Sequence, residues 1–252
     1  MKPDIINIDL HLPQCWSDLP DRQLRDVFRL IASDFTSDEI KTICLFKWSG
    51  LKVCYRQDDG KFVCRHKKNK FLLTANQVAE LLPFLSWLDS PSPRPVCLSH
   101  IGRHRPFASD FEEVPLEKFI ICDNLFQGYL ATQGEHFLLQ MAGVLYCHRF
   151  RKLAPGELIS VFYWFAAVKD MFARMFPNFF SAPAPDGNLL SAGADSPSPT
   201  QIQESVNAMI RALTKGDISK ENLILSLDTH RALTELDAQA KEFHEFNSRL
   251  KK

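Results

Sequence analysis

Three side chains of metal-binding types stand close together in CLSHIGRHRP, residues 97–106, where Cys97, His100 and His104 follow C-x2-H-x3-H spacing. Thiolate and imidazole groups at such intervals are the donors of structural zinc sites, and Cys122, Cys147 or His148 offers a fourth. Structural sites usually draw their ligands as two pairs, and no second pair in the chain matches this one. Arg103 and Arg105 flank the histidines, and two guanidinium groups oppose a bound dication. The stretch is expected to be an exposed polar loop, with no metal ligand and no cofactor assigned.

The other candidates for catalysis are no stronger. Cys147 and His148 are adjacent, so on a helix they diverge by about 100°, whereas thiol–imidazole pairs are assembled in space. The carboxylates of DFEEV, Asp110 to Val114, precede a helix and suit its dipole. No phosphate-loop, dinucleotide, zinc-protease or nucleophile-elbow motif occurs, and there are only ten Gly from which to build phosphate-cradling loops. The reading is a protein that is not an enzyme.

A basic patch carries the best case for ligand binding by charge. In KFVCRHKKNKF, Lys61, Arg65, Lys67, Lys68 and Lys70 crowd together with Phe62 and Phe71 nearby. Cations for phosphates and rings for stacking suit a nucleic acid. The competing reading is an edge strand whose lysines discourage aggregation. Lys and Arg total 30 and so do Asp and Glu, so no global field draws the molecule to polyanions and any such binding is local.

These residues need elements to position them, and the periodicity is mostly helical. Leu24, Phe28 and Ile31 share a face after Pro20, and TSDE (Thr36 to Glu39) has the form of a capping box before a second helix. LKVCYR and KFVCR flank QDDG, whose Asp59-Gly60 pair predicts a β-hairpin. TANQ, Thr74 to Gln77, opens another helix, which DSPSPRP ends. Beyond it, Leu116, Phe119, Ile120 and Phe126 line one helix and Phe137, Leu138, Met141 and Leu145 a second. Phe162, Phe165, Phe172 and Phe176 belong to the longest, expected at the centre of a bundle. A last helix begins near Asp228, with Leu233, Leu236, Ala240, Phe243, Asn247 and Leu250 at coiled-coil-like steps.

The expected fold is mainly α: a helical bundle with one small β-hairpin in the N-terminal part and a helical C-terminal tail. The expected divisions are an N-terminal segment with the hairpin over 1–88, a Phe-rich bundle over 96–180, a flexible linker over 181–199 and the tail over 200–252. Seven Cys without paired spacing read as thiols in a reducing compartment. No signal peptide pattern opens the chain, and its richest apolar run, Leu158 to Val168, is too short to span a membrane. A cytoplasmic location is expected.

LPQCWSDLPDRQLRDVFRLI near the start and RALTKGDISKENLILSLDTHRALTELDAQAKEFHEF near the end resemble uncharacterised prophage proteins of gut bacteria, similar to chaperone-like proteins of the tail-assembly region. The likeness lies in Trp16, Leu19 and the polar turn Asp21-Arg22-Gln23 that leads a helix, and in the short helix, Gly and charged final helix at the close. Such a resemblance implies protein–protein interaction during virion assembly, without catalysis or cofactor; the expected partner is another protein, a phage structural protein or a second copy of the chain. Leu236, Ala240 and Phe243 are then the expected partner contacts. The alternative is a nucleic-acid-binding accessory protein using the Lys61–Lys70 patch.

Overall fold

Helix-start signals in the sequence act where they stand in the computed structural model, which describes residues 10–58, 60–181 and 199–250. The Thr36 amide donates to Glu39 Oε2 (2.8 Å) and the Glu39 amide to Thr36 Oγ1 (3.4 Å), so two of the free donors at a helix start are satisfied reciprocally. Thr74 and Gln77 repeat the arrangement at 2.9 and 3.2 Å. The fold is mainly helical with a small antiparallel sheet in its N-terminal part, and it divides into two units, Met1–Ser92 and Pro93–Lys252.

In the first unit, α1 (Asp21–Ile31) and α2 (Ser37–Trp48) lead into a sheet, followed by α3 (Ala75–Leu81) and a 3₁₀ stretch over Leu82–Asp89. Trp16 anchors its core. The indole stacks on Phe28 at 5.7 Å and donates its N–H to the carbonyls of Trp87 (3.1 Å) and Ser90 (2.9 Å), so the ring is buried with its polar atom satisfied. Asp89 ties the 3₁₀ stretch to α2, accepting from Lys41 Nζ at 2.9 Å and from the Ser37 hydroxyl. These two donors hold the Asp89 carboxyl below the usual carboxylate range, Ser37 contributing most.

The sheet has three strands where one hairpin was expected: β1 (Lys52–Arg56), β2 (Phe62–His66) and β3 (Asn69–Leu73). Gly60 takes φ +84° in the first turn, as the Asp-Gly signal requires, while Asp59 lies outside the described residues. The second turn is made by Lys67 and Lys68, with Lys67 at φ +52°. It carries no Gly or Asn, which is why the sequence conceals it.

The second unit holds α4 (Leu116–Thr132), α5 (Glu135–Leu145), α6 (Pro155–Met175), α7 (Pro177–Ser181), α8 (Pro199–Thr214), α9 (Glu221–Leu225) and α10 (Thr229–Leu250). The long helix α6 is central, burying Leu158, Val161, Trp164, Phe165, Val168 and Phe172. Gly128 lets α4 and α5 approach, since a Cβ there would lie 2.6 Å from the Phe137 ring. Lys169 on α6 donates to Asp123 Oδ1 on α4 at 2.5 Å. Burial pushes the Asp123 carboxyl upward, and the Lys169 ammonium opposes that push.

Phe111 is the hub of this core. Its buried ring meets Phe119, Trp164, Phe165 and Phe172 at centroid distances of 6.3, 6.1, 5.9 and 6.3 Å. Its backbone sits at φ +66°, a conformation costly for a bulky side chain. Four aromatic pairs at about 0.5–1.5 kcal/mol each, added to the burial of the ring, outweigh that cost.

The tail expected to stand apart from the bundle belongs to the same unit. The Thr229 amide and hydroxyl both donate to the Val114 carbonyl (2.8 and 2.6 Å), and the Leu116 amide donates to Leu227 O at 2.8 Å. Asp237 of α10 accepts from the amides of Asn178 (2.7 Å) and Phe179 (2.9 Å), capping α7. Leu233 and Leu236 are buried. A helix of this length gains most of its stability by docking its apolar face, and the bundle supplies the surface. Residues 182–198 of the expected linker lie outside the described residues.

Replacing Phe111 with Ala should cost about 3–5 kcal/mol in urea unfolding followed by circular dichroism. A loss below about 1 kcal/mol would mean that the ring does not organise the core. Acid should weaken the first unit through Asp89. Its folded pKa lies below the unfolded value near 3.9, so its stabilisation is present above that value and is lost as pH falls through the folded one. Thermal midpoints measured from about pH 5 to about pH 2 should fall less steeply in Asp89→Asn than in the parent protein.

Candidate functional site

Where the final helix leaves the bundle its character changes. Leu233 and Leu236 are spent on the chain's own body, Leu236 being only 4% exposed, so Leu236 is not available to a partner as expected. Ala240 is half-buried. From Lys241 to Phe246 every residue is exposed. Phe243 and Phe246 are 57% and 61% exposed and three residues apart, so they share a side of the helix. Covering each ring is worth about 1–2 kcal/mol. The side chain of Leu250, the last residue of the seam, lies outside the described residues.

The basic stretch is arranged more regularly than its sequence suggests. Cross-strand pairing sets Lys52 opposite Arg65 and Arg65 opposite Lys70, a row of three cations across β1, β2 and β3. Directly opposed residues share a face. On that face lie Tyr55, Val63 and Leu72, also paired in a row, with Tyr55 59% and Leu72 48% exposed. Cys64 and its neighbours Phe62 and Phe71 hold the other face, where Cys64 is fully buried. Lys67 and Lys68 stand at the turn beyond the row, and Lys61 leads into β2. Between Leu51 and Leu73 there are seven Lys or Arg against two Asp. Among the described residues, Lys52, Arg65, Lys67, Lys68 and Lys70 form no ion pair.

Like charges about 5 Å apart in water repel by about 0.8 kcal/mol per pair, a tolerable cost that an anion across the row would reverse. Edge protection accounts for charges on β1 and β3 but not for Arg65, which lies on the central strand. Lys52 and Tyr55 were missed in the sequence because their role depends on register. A bulge between Val53 and Tyr55 moves Tyr55 to the face that carries Arg65.

CLSHIGRHRP forms a tight turn. Ile101 and His104 exchange both backbone hydrogen bonds (2.9 and 3.0 Å), with Gly102 at φ +59° between them. Cys97 is half-buried, and His100 Nδ1 lies 2.8 Å from Ser99 Oγ. His104 stacks on His148, the ring centroids 3.6 Å apart and the planes within 10°. Parallel stacked rings present faces to each other, and their in-plane nitrogens do not converge on a shared ion. Among the described residues no three His, Cys, Asp or Glu side chains gather into a metal-binding group. The fold thus brings His148, one of three possible fourth ligands in the sequence, onto His104 as a stacked ring.

Cys147 is exposed at φ +50° in the turn that ends α5. Buried Cys44 has its thiol pushed up to about 12 by desolvation, and burial raises the Cys122 thiol as well, so neither is poised as a nucleophile. The acidic DFEEV stretch is structural: it is the turn that inserts Phe111, and the Asp110 carbonyl accepts from His230 Nε2 at 2.7 Å. Among the described residues no helix is long and apolar enough to cross a membrane. Compared with protein-family models, curated proteins and solved structures, the chain has no match.

Proposed function

We propose that this chain is a non-enzymatic protein–protein interaction protein that offers the distal half of its last helix to a partner. The observation that carries the reading is the pair Phe243 and Phe246, both more than half exposed on a helix whose proximal half is docked. Aromatic rings held on a rigid element bring large contact area with little rotamer entropy to lose. The resemblance of both ends of the chain to prophage tail-region proteins points to a structural protein of a virion as that partner, with the chain acting as an assembly factor. Phe243→Asp combined with Phe246→Asp should leave the thermal midpoint unchanged, because neither ring is buried. The same variant should no longer co-purify the tail-region proteins expressed beside it, or should lose self-association by light scattering. Equal association in parent and variant would remove the helix end from the interface.

One observation favours a second reading, a nucleic-acid-binding accessory protein. The Lys52–Arg65–Lys70 row beside exposed Tyr55 offers regularly spaced phosphate contacts and a stacking ring. On this reading, binding of single-stranded RNA or DNA weakens steeply with salt. Arg65→Gln and Lys70→Gln together should reduce the slope of log K against log salt by about 0.7 per charge removed. A slope that does not change would mean that the row meets no phosphates.

A further inference from the structure

A groove of about 670 Å³ runs along the outer face of α5. Leu139, Gly143 and Val144 form part of its floor at helical spacing, and His136 and Cys147 mark its two ends on the same helix face. Lys118 of α4 stands on one side, and the segment His148–Phe150 closes the other.

That closing wall is built by specific backbone features. Cys147 takes the left-handed conformation that ends α5, with its amide bonded to Val144 O (3.3 Å) and the His148 amide to Gly143 O (3.0 Å). The chain therefore doubles back along the helix it has just left. A Cβ at residue 143 would lie 3.2 Å from the His148 carbonyl, so Gly at this position lets the wall close. His148 is then held by the His104 stack on one side and the edge of Phe150 at 4.9 Å.

The groove is chemically one-sided. It is lined by Lys118, Arg149, His136 and His148 around an apolar floor completed by Phe150, and no carboxylate lines it, in a chain whose acids and bases balance. Lys118 reaches Glu117 only at 4.0 Å, and Arg149 forms no ion pair among the described residues. The volume falls within the range of small-molecule sites, which bury an apolar body and orient it with a few polar groups.

We infer that this groove binds a small organic anion, a carboxylate or phosphate ester with an apolar body, whose charge meets Lys118 and Arg149 while its body lies on Leu139, Val144 and Phe150. The groove shares no residue with the exposed helix end or with the basic row, and it does not depend on either proposed role.

Anilinonaphthalene sulfonate, one anionic group on an apolar body, is the probe for the full-length protein. One equivalent should bind with a rise in fluorescence and should shift the ring signals of His136 and His148 in NMR spectra. Uncharged phenylnaphthylamine should bind at least about tenfold more weakly, and so should the sulfonate to Lys118→Gln/Arg149→Gln. Leu139→Trp, which fills the floor, should abolish binding while circular dichroism remains that of the parent. Equal affinity in the charge variant or in Leu139→Trp would overturn the inference. So would unshifted ring signals in the parent protein, a measurement that does not depend on any variant folding.

Discussion

The second unit depends on a clasp between two short backbone segments far apart in sequence. The turn at 110–116 inserts Phe111 into the core, but only by placing Phe111 and Glu113 at positive φ. Polar backbone left exposed by such a turn must find partners, and residues 227–230 supply them. Val114 O receives the amide and hydroxyl of Thr229, the Leu116 amide reaches Leu227 O, and the Asp110 carbonyl receives His230. The same segment starts α10, so the clasp that stabilises the strained turn also sets the direction in which the last helix leaves the bundle. Core packing and the presentation of Phe243 and Phe246 thereby share one support.

Much of the fold was legible in the sequence because its signals are local. The two capping boxes, the Gly60 turn and the Phe162, Phe165 and Phe172 spacing of α6 each act within a few residues and appear where the sequence placed them. Phe176 falls instead at the C-cap of α6, and α10, not α6, is the longest described helix. The features missed were of another kind. The turn at Lys67-Lys68 uses residues without turn chemistry, so the third strand had no boundary to announce it. The docking of the tail rests on Asp237 meeting the start of α7 and on Thr229 meeting Val114, contacts that no periodicity encodes. The Leu233–Leu236 seam did signal that something must cover it. Whether the cover was the chain itself or a partner is a tertiary matter.

The candidate surfaces divide in the same way. The basic residues were visible as a cluster, but their alignment into a row, and the entry of Tyr55 beside them, follow from register and a single bulge. Cys97, His100 and His104 were visible as possible ligands, yet the fold gives His104 a ring-stacking role with His148 that spacing along the chain cannot express. Phe246 escaped notice because it lies one position before the heptad seam reaches Asn247. Side-by-side exposure, and not heptad position, is what marks it.

The clasp also has a consequence for biosynthesis. Val114 and Thr229 are separated by 115 residues, so a ribosome elongating at about 5–20 residues per second makes the second roughly 6–23 seconds after the first. Throughout that interval the turn carrying Phe111 lacks the donors that satisfy its carbonyls. The aromatic core can collapse around α4–α6, but its entrance stays unsecured, and apolar surface meant for α10 faces water. Ribosome-bound chains halted before Leu227 should therefore be the aggregation-prone form of this protein, and synthesis of the segment from Leu227 through α10 converts a loose collapsed bundle into a closed one.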